Sequence, residues 1–388
     1  MLALLSVAEL LGMSLWFTAS AVSPQLADRW SLTPLEAGWL TAIVQLGFVA
    51  GTALAALLNT TDVFPSRWYF AAAATLAALA NAAMLAAGSF AAALVLRFAT
   101  GVFLSGVYPP AMKMIATWFQ ARRGFAIGTI VGALTVGKAT PYLVRTIEGA
   151  STSAVIVTAS AGALVAALLV ASGYRDGPYE FARRPFSWAL VGTVLREREW
   201  RLATGGYLGH MWELYSFWTW IAAFMAASAA ARAASGVAAP SAQMVGLLSF
   251  GAIAIGGAGC IWGGIVADRI GHERLVIRAM AVSGACALAI GALFGESIWL
   301  LAPLTWVWGF FVIADSAQFS TLVTRAVPAH AVGTALTLQT SLGFLLTMVT
   351  IQLVPPIVTA VGWRWAFVIL AVGPAFGIAA IRRMPVGR

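Results

Sequence analysis

The chain has 388 residues and a formal charge of +9, yet only 10% of its residues are charged and 61% are hydrophobic. A soluble domain carries about 25% charged residues, so this composition excludes a water-soluble globular protein. The apolar residues come in blocks of about 20, each long enough to cross a bilayer as a helix. The net charge lies in the loops between those blocks and does not call for a nucleic-acid partner.

The first block starts at the second residue, with Glu9 inside it and no basic region before it. It reads as a retained membrane span and not as a cleaved signal peptide, despite the small residues Thr18 to Ala21. Twelve helices are expected, over 2–23, 35–58, 67–87, 90–118, 123–146, 152–173, 203–227, 241–267, 274–294, 298–323, 332–354 and 363–381. Between the sixth and seventh lies the one long polar stretch, Tyr174 to Arg201, with Arg175, Arg183, Arg184, Arg196, Arg198 and Arg201. The expected organisation is therefore a six-helix bundle over 1–174, a linker over 175–202 and a second six-helix bundle over 203–388, in an all-α polytopic membrane protein.

Alternating the loops gives the orientation. One side collects Arg67, Arg122, Arg123, the six linker arginines, Arg269, Arg274, Arg278, Arg325, Arg382, Arg383 and Arg388, sixteen in all; the other holds only Arg29, Arg145, Arg232 and Arg364. Positive residues stay inside, so the N-terminus, linker and C-terminus are expected in the cytoplasm, with the chain in the inner (cytoplasmic) membrane. Trp30, Trp68, Trp118, Trp299 and Trp363 fall at expected helix ends, as in an aromatic belt.

The two halves echo one another. E-L-L-G-M-S-L-W runs from Glu9 to Trp16, and E-L-Y-S-F-W-T-W from Glu213 to Trp220. A-I-G-T around Gly128 is answered by A-V-G-T around Gly333. A common offset of six helices fits a parallel internal repeat, a known transporter architecture.

After the eighth helix, G-G-I-V-A-D-R-I-G-H-E-R resembles the G-x-x-x-D-R-x-G-x-x-R signature of the major facilitator superfamily, through Gly264, Asp268, Arg269, Gly271 and Arg274. The first-half copy keeps Asp62 and Arg67 but has Pro65 where glycine is usual. Arg97 and Gly101 resemble that family's R-x-x-x-G element, and Gly124, Gly128, Gly132, Gly137 and Pro141 a glycine-rich element of its exporters, without the Gly-Pro pair. The resemblance implies a secondary transporter working by alternating access. It also implies a cavity lined by helices one, four, seven and ten, and a latch formed by Asp62, Gly264, Asp268, Arg269, Gly271 and Arg274. Nitrate carriers of the family place arginines in helices two and eight; neither helix has one here.

Charges inside the spans are costly and need a reason. They are Glu9, Arg97, Lys113, Lys138, His210, Glu213 and Asp315, most of them on those four helices. Lys113 and Lys138 are the only lysines of the chain. Rise along straight helices places Lys113, Glu9, His210, Glu213 and Asp315 in one layer and Lys138 above it. Lys113 then either meets an anionic cargo or pairs with an acid. Lys113, Lys138, Tyr108, Trp212 and Tyr215 are the expected substrate contacts, and Glu9, His210, Glu213 and Asp315 the expected proton carriers, His210 and Glu213 alternatively forming a structural pair. Pro109 and Pro110 bend helix four, and Arg97 either reaches the cavity or extends to the outer interface.

Cys260 and Cys286 read as small apolar residues, and three dispersed histidines make no metal site. No nucleophile motif or phosphate loop points to an enzyme or a cofactor. The expected partners are a small molecule, protons and the bilayer, with the protein a monomer. Three functions compete: proton-coupled movement of a small organic anion, proton-driven efflux of amphipathic or cationic compounds, and lipid handling or sensing.

Overall fold

The computed structural model describes residues 1–58, 60–120, 122–179 and 186–385, with the side chains of Thr61, Asp62 and Arg123 outside that description. Among the described residues there is helix and no strand. Among those residues, eleven helices are long and apolar enough to cross a membrane: Pro34–Leu57, Ser66–Ala86, Phe90–Ala116, Gly124–Arg145, Thr152–Gly173, Arg198–Ala234, Ala242–Ile270, His272–Leu293, Ile298–Ala326, Ala329–Val361 and Trp363–Ile381. These take the places of the second to twelfth expected spans. The first place is filled by three shorter helices, Leu2–Met13, Thr18–Ala21 and Ser23–Trp30.

Two kinds of helix start define the two faces. Thr33, Ser89, Ser151, Ser241 and Ser297 cap the second, fourth, sixth, eighth and tenth spans through their side-chain oxygens. Such caps satisfy backbone N–H groups that a helix cannot satisfy itself. All five lie on the face opposite the Tyr174–Arg201 segment, here called the distal face. The spans that start on the linker face have no side-chain cap of this kind.

The internal repeat is visible in packing. A side chain on Gly101 of the fourth span would collide with the Val44 carbonyl of the second; one on Gly309 of the tenth would collide with the Ala252 carbonyl of the eighth. Gly51 against Val102 and Gly259 against Phe310 repeat the relation, and every one of these positions shifts by the same 208 residues. Small residues let backbones touch where lipid offers no hydrophobic drive for helix association.

The halves meet at both faces and between them. Distally, Gly38 of the second span lies beside Gln352 of the eleventh and Trp220 of the seventh. In its satisfied orientation the Gln352 amide donates to the Leu35 carbonyl and accepts from the Trp39 N–H, both at 3.1 Å. Toward the linker face, Gly128 and Gly132 of the fifth span rest on the Cys260 and Gly257 carbonyls of the eighth. Midway, Trp16 and Phe48 of the first half pack on Phe344 of the second, with ring centroids 5.8 and 4.7 Å apart.

Candidate functional site

The first span is broken between Met13 and Thr18, which frees carbonyls in the middle of the protein. Arg97 of the fourth span takes them up. Its guanidinium donates to the Leu15 carbonyl at 3.0 Å, to the Trp16 carbonyl, to the Leu40 carbonyl at 3.3 Å and to Asn81 Oδ1 at 3.2 Å. Asn81 in turn donates to Ser160 Oγ at 3.0 Å. Arg97 is fully buried. It neither extends to the outer interface nor lines the cavity, as either expectation had it, because the broken helix offers acceptors that a straight one would not. Five donors in a planar fork suit this task as a lysine would not.

The break sets Trp16 against Lys138. The Lys138 ammonium lies 4.1 Å from the Trp16 ring centroid, 4.7 Å from that of Tyr215 and 5.1 Å from that of Trp218. It donates to the Tyr215 hydroxyl at 2.6 Å. Trp16 belongs to the first half, Tyr215 and Trp218 to the seventh span, so Lys138 is held across the seam. Phe17 joins the group, stacked on Tyr215 and edge-on to Trp218. Lysine over aromatic faces is favourable, most so out of water.

Glu9 precedes Leu10, whose carbonyl packs against Gly137, the neighbour of Lys138. Glu9 is fully buried, and neither of its oxygens has a hydrogen-bond partner. The indole N–H groups of Trp16 and Trp218 are likewise buried without acceptors. Lys138 does not sit above Glu9, as helical rise suggested. The fifth span packs so closely on the first that a side chain on Gly137 would collide with the Leu10 carbonyl, which brings Lys138 to the level of Glu9. Tyr108 opens the helix just beyond the bend of the fourth span.

The acids of the second half are arranged differently. The tenth span breaks at Asp315, between helices ending at Ala314 and starting at Ser316. His210 Nδ1 lies 2.9 Å from Asp315 Oδ1, close but not aligned as a hydrogen bond. Glu213, one turn on from His210, accepts from Ser283 Oγ at 2.8 Å and from Trp308 Nε1 at 2.6 Å. Both donors belong to the same half, and all these groups are buried. Trp212 donates to the Ile369 carbonyl at 3.0 Å and so faces the twelfth span, not the Lys138 cage.

Lys113 occupies another setting. It lies in the last turn of the helix that ends at Ala116 and lines a pocket of about 260 Å³ with Ser66, Thr117, Tyr174, Asp176 and Tyr179. The linker forms much of that pocket: the Tyr179 N–H donates to the Thr117 carbonyl at 3.0 Å and the Gly177 N–H to Thr117 Oγ1 at 3.1 Å. Burial pushes the Tyr174 hydroxyl up to about 12, so it remains neutral. The single layer expected from helical rise thus separates into the Lys138–Glu9 centre, the His210–Asp315 and Glu213 groups, and Lys113 at the linker face. Helical breaks and stagger, absent from straight-helix arithmetic, cause the separation.

The latch segment reaches the first half. Asp268 lies beside Gly124 at the start of the fifth span, and Gly264 beside the Gly124 carbonyl. A carboxylate there meets the positive end of a helix. Gly271 has a φ of 92°, a conformation that suits glycine, and turns the chain between Arg269 and the ninth span, which carries Arg274 in its first turn. The Asp62 side chain lies outside the described residues. Sequence reasoning missed the cage role of Trp16 and the anchoring role of Arg97. The seven-residue Glu–Trp spacing pointed to the first, and nothing in the sequence marked the break behind the second.

Among the described residues, apolar spans in two repeated halves enclose a small set of buried charged side chains, the architecture of a membrane transporter. The pattern of the Major Facilitator Superfamily matches residues 4–349, and the chain belongs to that family. The niacin transporter NiaP of Acinetobacter baylyi is 35% identical over 98 residues, 25% of this chain and 21% of that protein. The fold is similar to that of a bacterial homolog of the human lysosomal transporter Spinster, in an inward-facing and unoccupied conformation (TM-score 0.73, 15% identity, 98% of this chain and 96% of that one). It is also similar to a mutant of the nucleoside transporter NupG (TM-score 0.72, 14% identity, 98% of both chains).

Proposed function

We propose that this chain couples proton movement to transport of a small organic anion by alternating access, with Lys138 meeting the anionic group. The bundles at 1–174 and 203–388 rock about the seam that Lys138 spans, the linker at 175–202 lying in the cytoplasm. The observation that carries the reading is the setting of Lys138: a buried cation between the halves, with one hydrogen bond and three aromatic faces around it. An intramembrane ionisable residue facing the bundle interior marks a substrate or ion pathway. Glu9 is the acid placed to take a proton when Lys138 engages cargo, and His210 with Asp315 forms a second proton site. Asp268 and its neighbours latch the linker face against Gly124. The limited likeness to a niacin transporter makes nicotinate, an aromatic carboxylate, the first compound to try.

A thermal-shift screen of the purified protein against metabolite carboxylates tests the reading. At least one carboxylate should raise the melting temperature of the wild type and leave Lys138→Met unmoved. A carboxylate that stabilises both equally would remove Lys138 from the site.

The second reading is efflux of amphipathic cations. What favours it is the ring cluster of Trp16, Phe17, Phe48, Tyr215, Trp218 and Phe344 beside unpartnered Glu9. Tetraphenylphosphonium binding that survives Lys138→Met and is lost in Glu9→Gln would support it.

A further inference from the structure

The linker carries an exposed apolar face. Its helix, Trp188–Arg196, turns Leu190 and Val194 onto the second half, in a small core with Trp200, Phe319 and Met384. The Ser187 N–H donates to Thr334 Oγ1 at 2.9 Å, and Trp200 Nε1 to the Ala335 carbonyl at 3.2 Å. These contacts mount the helix across the ends of the seventh and eleventh spans. The opposite face shows Trp188, Gly192 and Leu195, spaced by four and three residues and so on one side of the helix. Trp188 is 71% exposed and Leu195 44%, and the Phe186 ring stands edge-on to Trp188 with centroids 5.1 Å apart. This face lies outside the eleven membrane-crossing helices.

The charges around the face say what adjoins it. Arg196 ends the linker helix, and Arg198 and Arg201 open the seventh span. Arg325, Arg382 and Arg383 adjoin Ala326, Ile381 and Met384 of the same small core. All six arginines are exposed, with Glu197 and Glu199 interleaved in the sequence. Arginines are costly in the hydrocarbon, so a helix that ends at Arg196 runs at the level of the headgroups. Tryptophan concentrates at that level, its ring in the apolar margin and its N–H toward water. Arginine clusters beside a bilayer attract anionic lipid. A symmetric dimer through this face would instead set the same arginines against one another. The geometry points to the linker helix as a docking surface for anionic phospholipid headgroups of the linker-side leaflet. Trp188 and Leu195 enter the apolar margin, and the arginines hold the phosphates. The inference does not depend on which cargo the carrier moves.

The test uses the full chain in vesicles, with Cys260 and Cys286, both buried, changed to alanine. A spin label is attached at Gly192→Cys, where an added side chain meets open space on the face of Trp188 and Leu195. Its collision rates with oxygen and with a water-soluble nickel chelate report its depth. In mixed phosphatidylglycerol and phosphatidylcholine the label should be immersed, and in phosphatidylcholine alone it should return to water. Arg198→Gln and Arg201→Gln should each lower the ratio of immersed to exposed label on the order of fivefold in the mixed vesicles. Trp188→Ser should expose the label in both compositions. These side chains are exposed, so the variants should melt with the parent protein, which separates lost immersion from unfolding. A label exposed to water in the mixed vesicles would overturn the inference. Equal immersion in both compositions would also overturn it, since apolar contact would then need no anionic headgroup. Dipolar broadening between labels, the mark of a second copy on this face, would overturn it as well.

Discussion

The first and seventh spans begin alike, with glutamate and tryptophan seven residues apart, and then diverge. The seventh continues as one helix from Arg198 to Ala234, with Glu213 satisfied inside its own half by Ser283 and Trp308. The first breaks after Met13, leaves Glu9 without a hydrogen-bond partner and presents Trp16 to Lys138. Trp220, the seventh span's counterpart of Trp16, instead donates to the Ile351 carbonyl near the distal face. The glutamate of the seventh span is thus held within its own half, whereas that of the first has no such donors. A repeated framework can therefore keep its packing, as the shared 208-residue shift shows, while equivalent glutamates differ, Glu213 with two donors and Glu9 with none.

The comparison breaks most readily at Arg97. Arg97→Ala would leave the Leu15, Trp16 and Asn81 acceptors buried without donors, a loss of about 3 kcal/mol or more at about 1–3 kcal/mol for each unsatisfied group. A large fall in melting temperature in detergent is expected, with little recovery in Arg97→Lys, since an ammonium lacks the planar fork. Glu213→Ala is the matching change in the second half. It strands the Ser283 hydroxyl and the Trp308 N–H and should cost about 2 kcal/mol. Glu213→Gln keeps an acceptor and should cost less. If Glu213→Gln abolished transport while melting normally, the scaffold reading of Glu213 would be wrong.

Smaller effects on stability sharpen the contrast. Lys138→Met should cost no more than about 1–2 kcal/mol, because Glu9 takes up a proton once its partner is gone. The same change should stop anion transport. Asp268→Asn should have the least effect on folding. Linker-face accessibility, read by alkylation of a cysteine introduced near Gly124, should rise as the contact with the fifth span weakens. Unchanged labelling would reduce Asp268 to an anchor.

Much of the fold was legible in the sequence. Block length, arginine asymmetry and the D-R-x-G signature give the spans and the family, because bilayer thickness and backbone satisfaction leave the chain few alternatives. The site was legible only as a set of residues. Straight-helix rise put Lys113 with the acids and Lys138 apart from them, and the structure brings Lys138 level with Glu9 instead. The error lies in two features that no periodicity reveals: the break at 14–17, and the contact of Gly137 with Leu10 that fixes the stagger of the fifth span. Arg97 was open to either reading until the freed carbonyls supplied its partners.

The most direct test of the account is uptake of radiolabelled nicotinate into proteoliposomes under an imposed inward proton gradient, comparing wild type with Lys138→Met and Glu9→Gln. The account expects gradient-stimulated uptake in the wild type, none in Lys138→Met, and uptake that no longer responds to the gradient in Glu9→Gln. Gradient-driven uptake by Lys138→Met at the wild-type rate would contradict it.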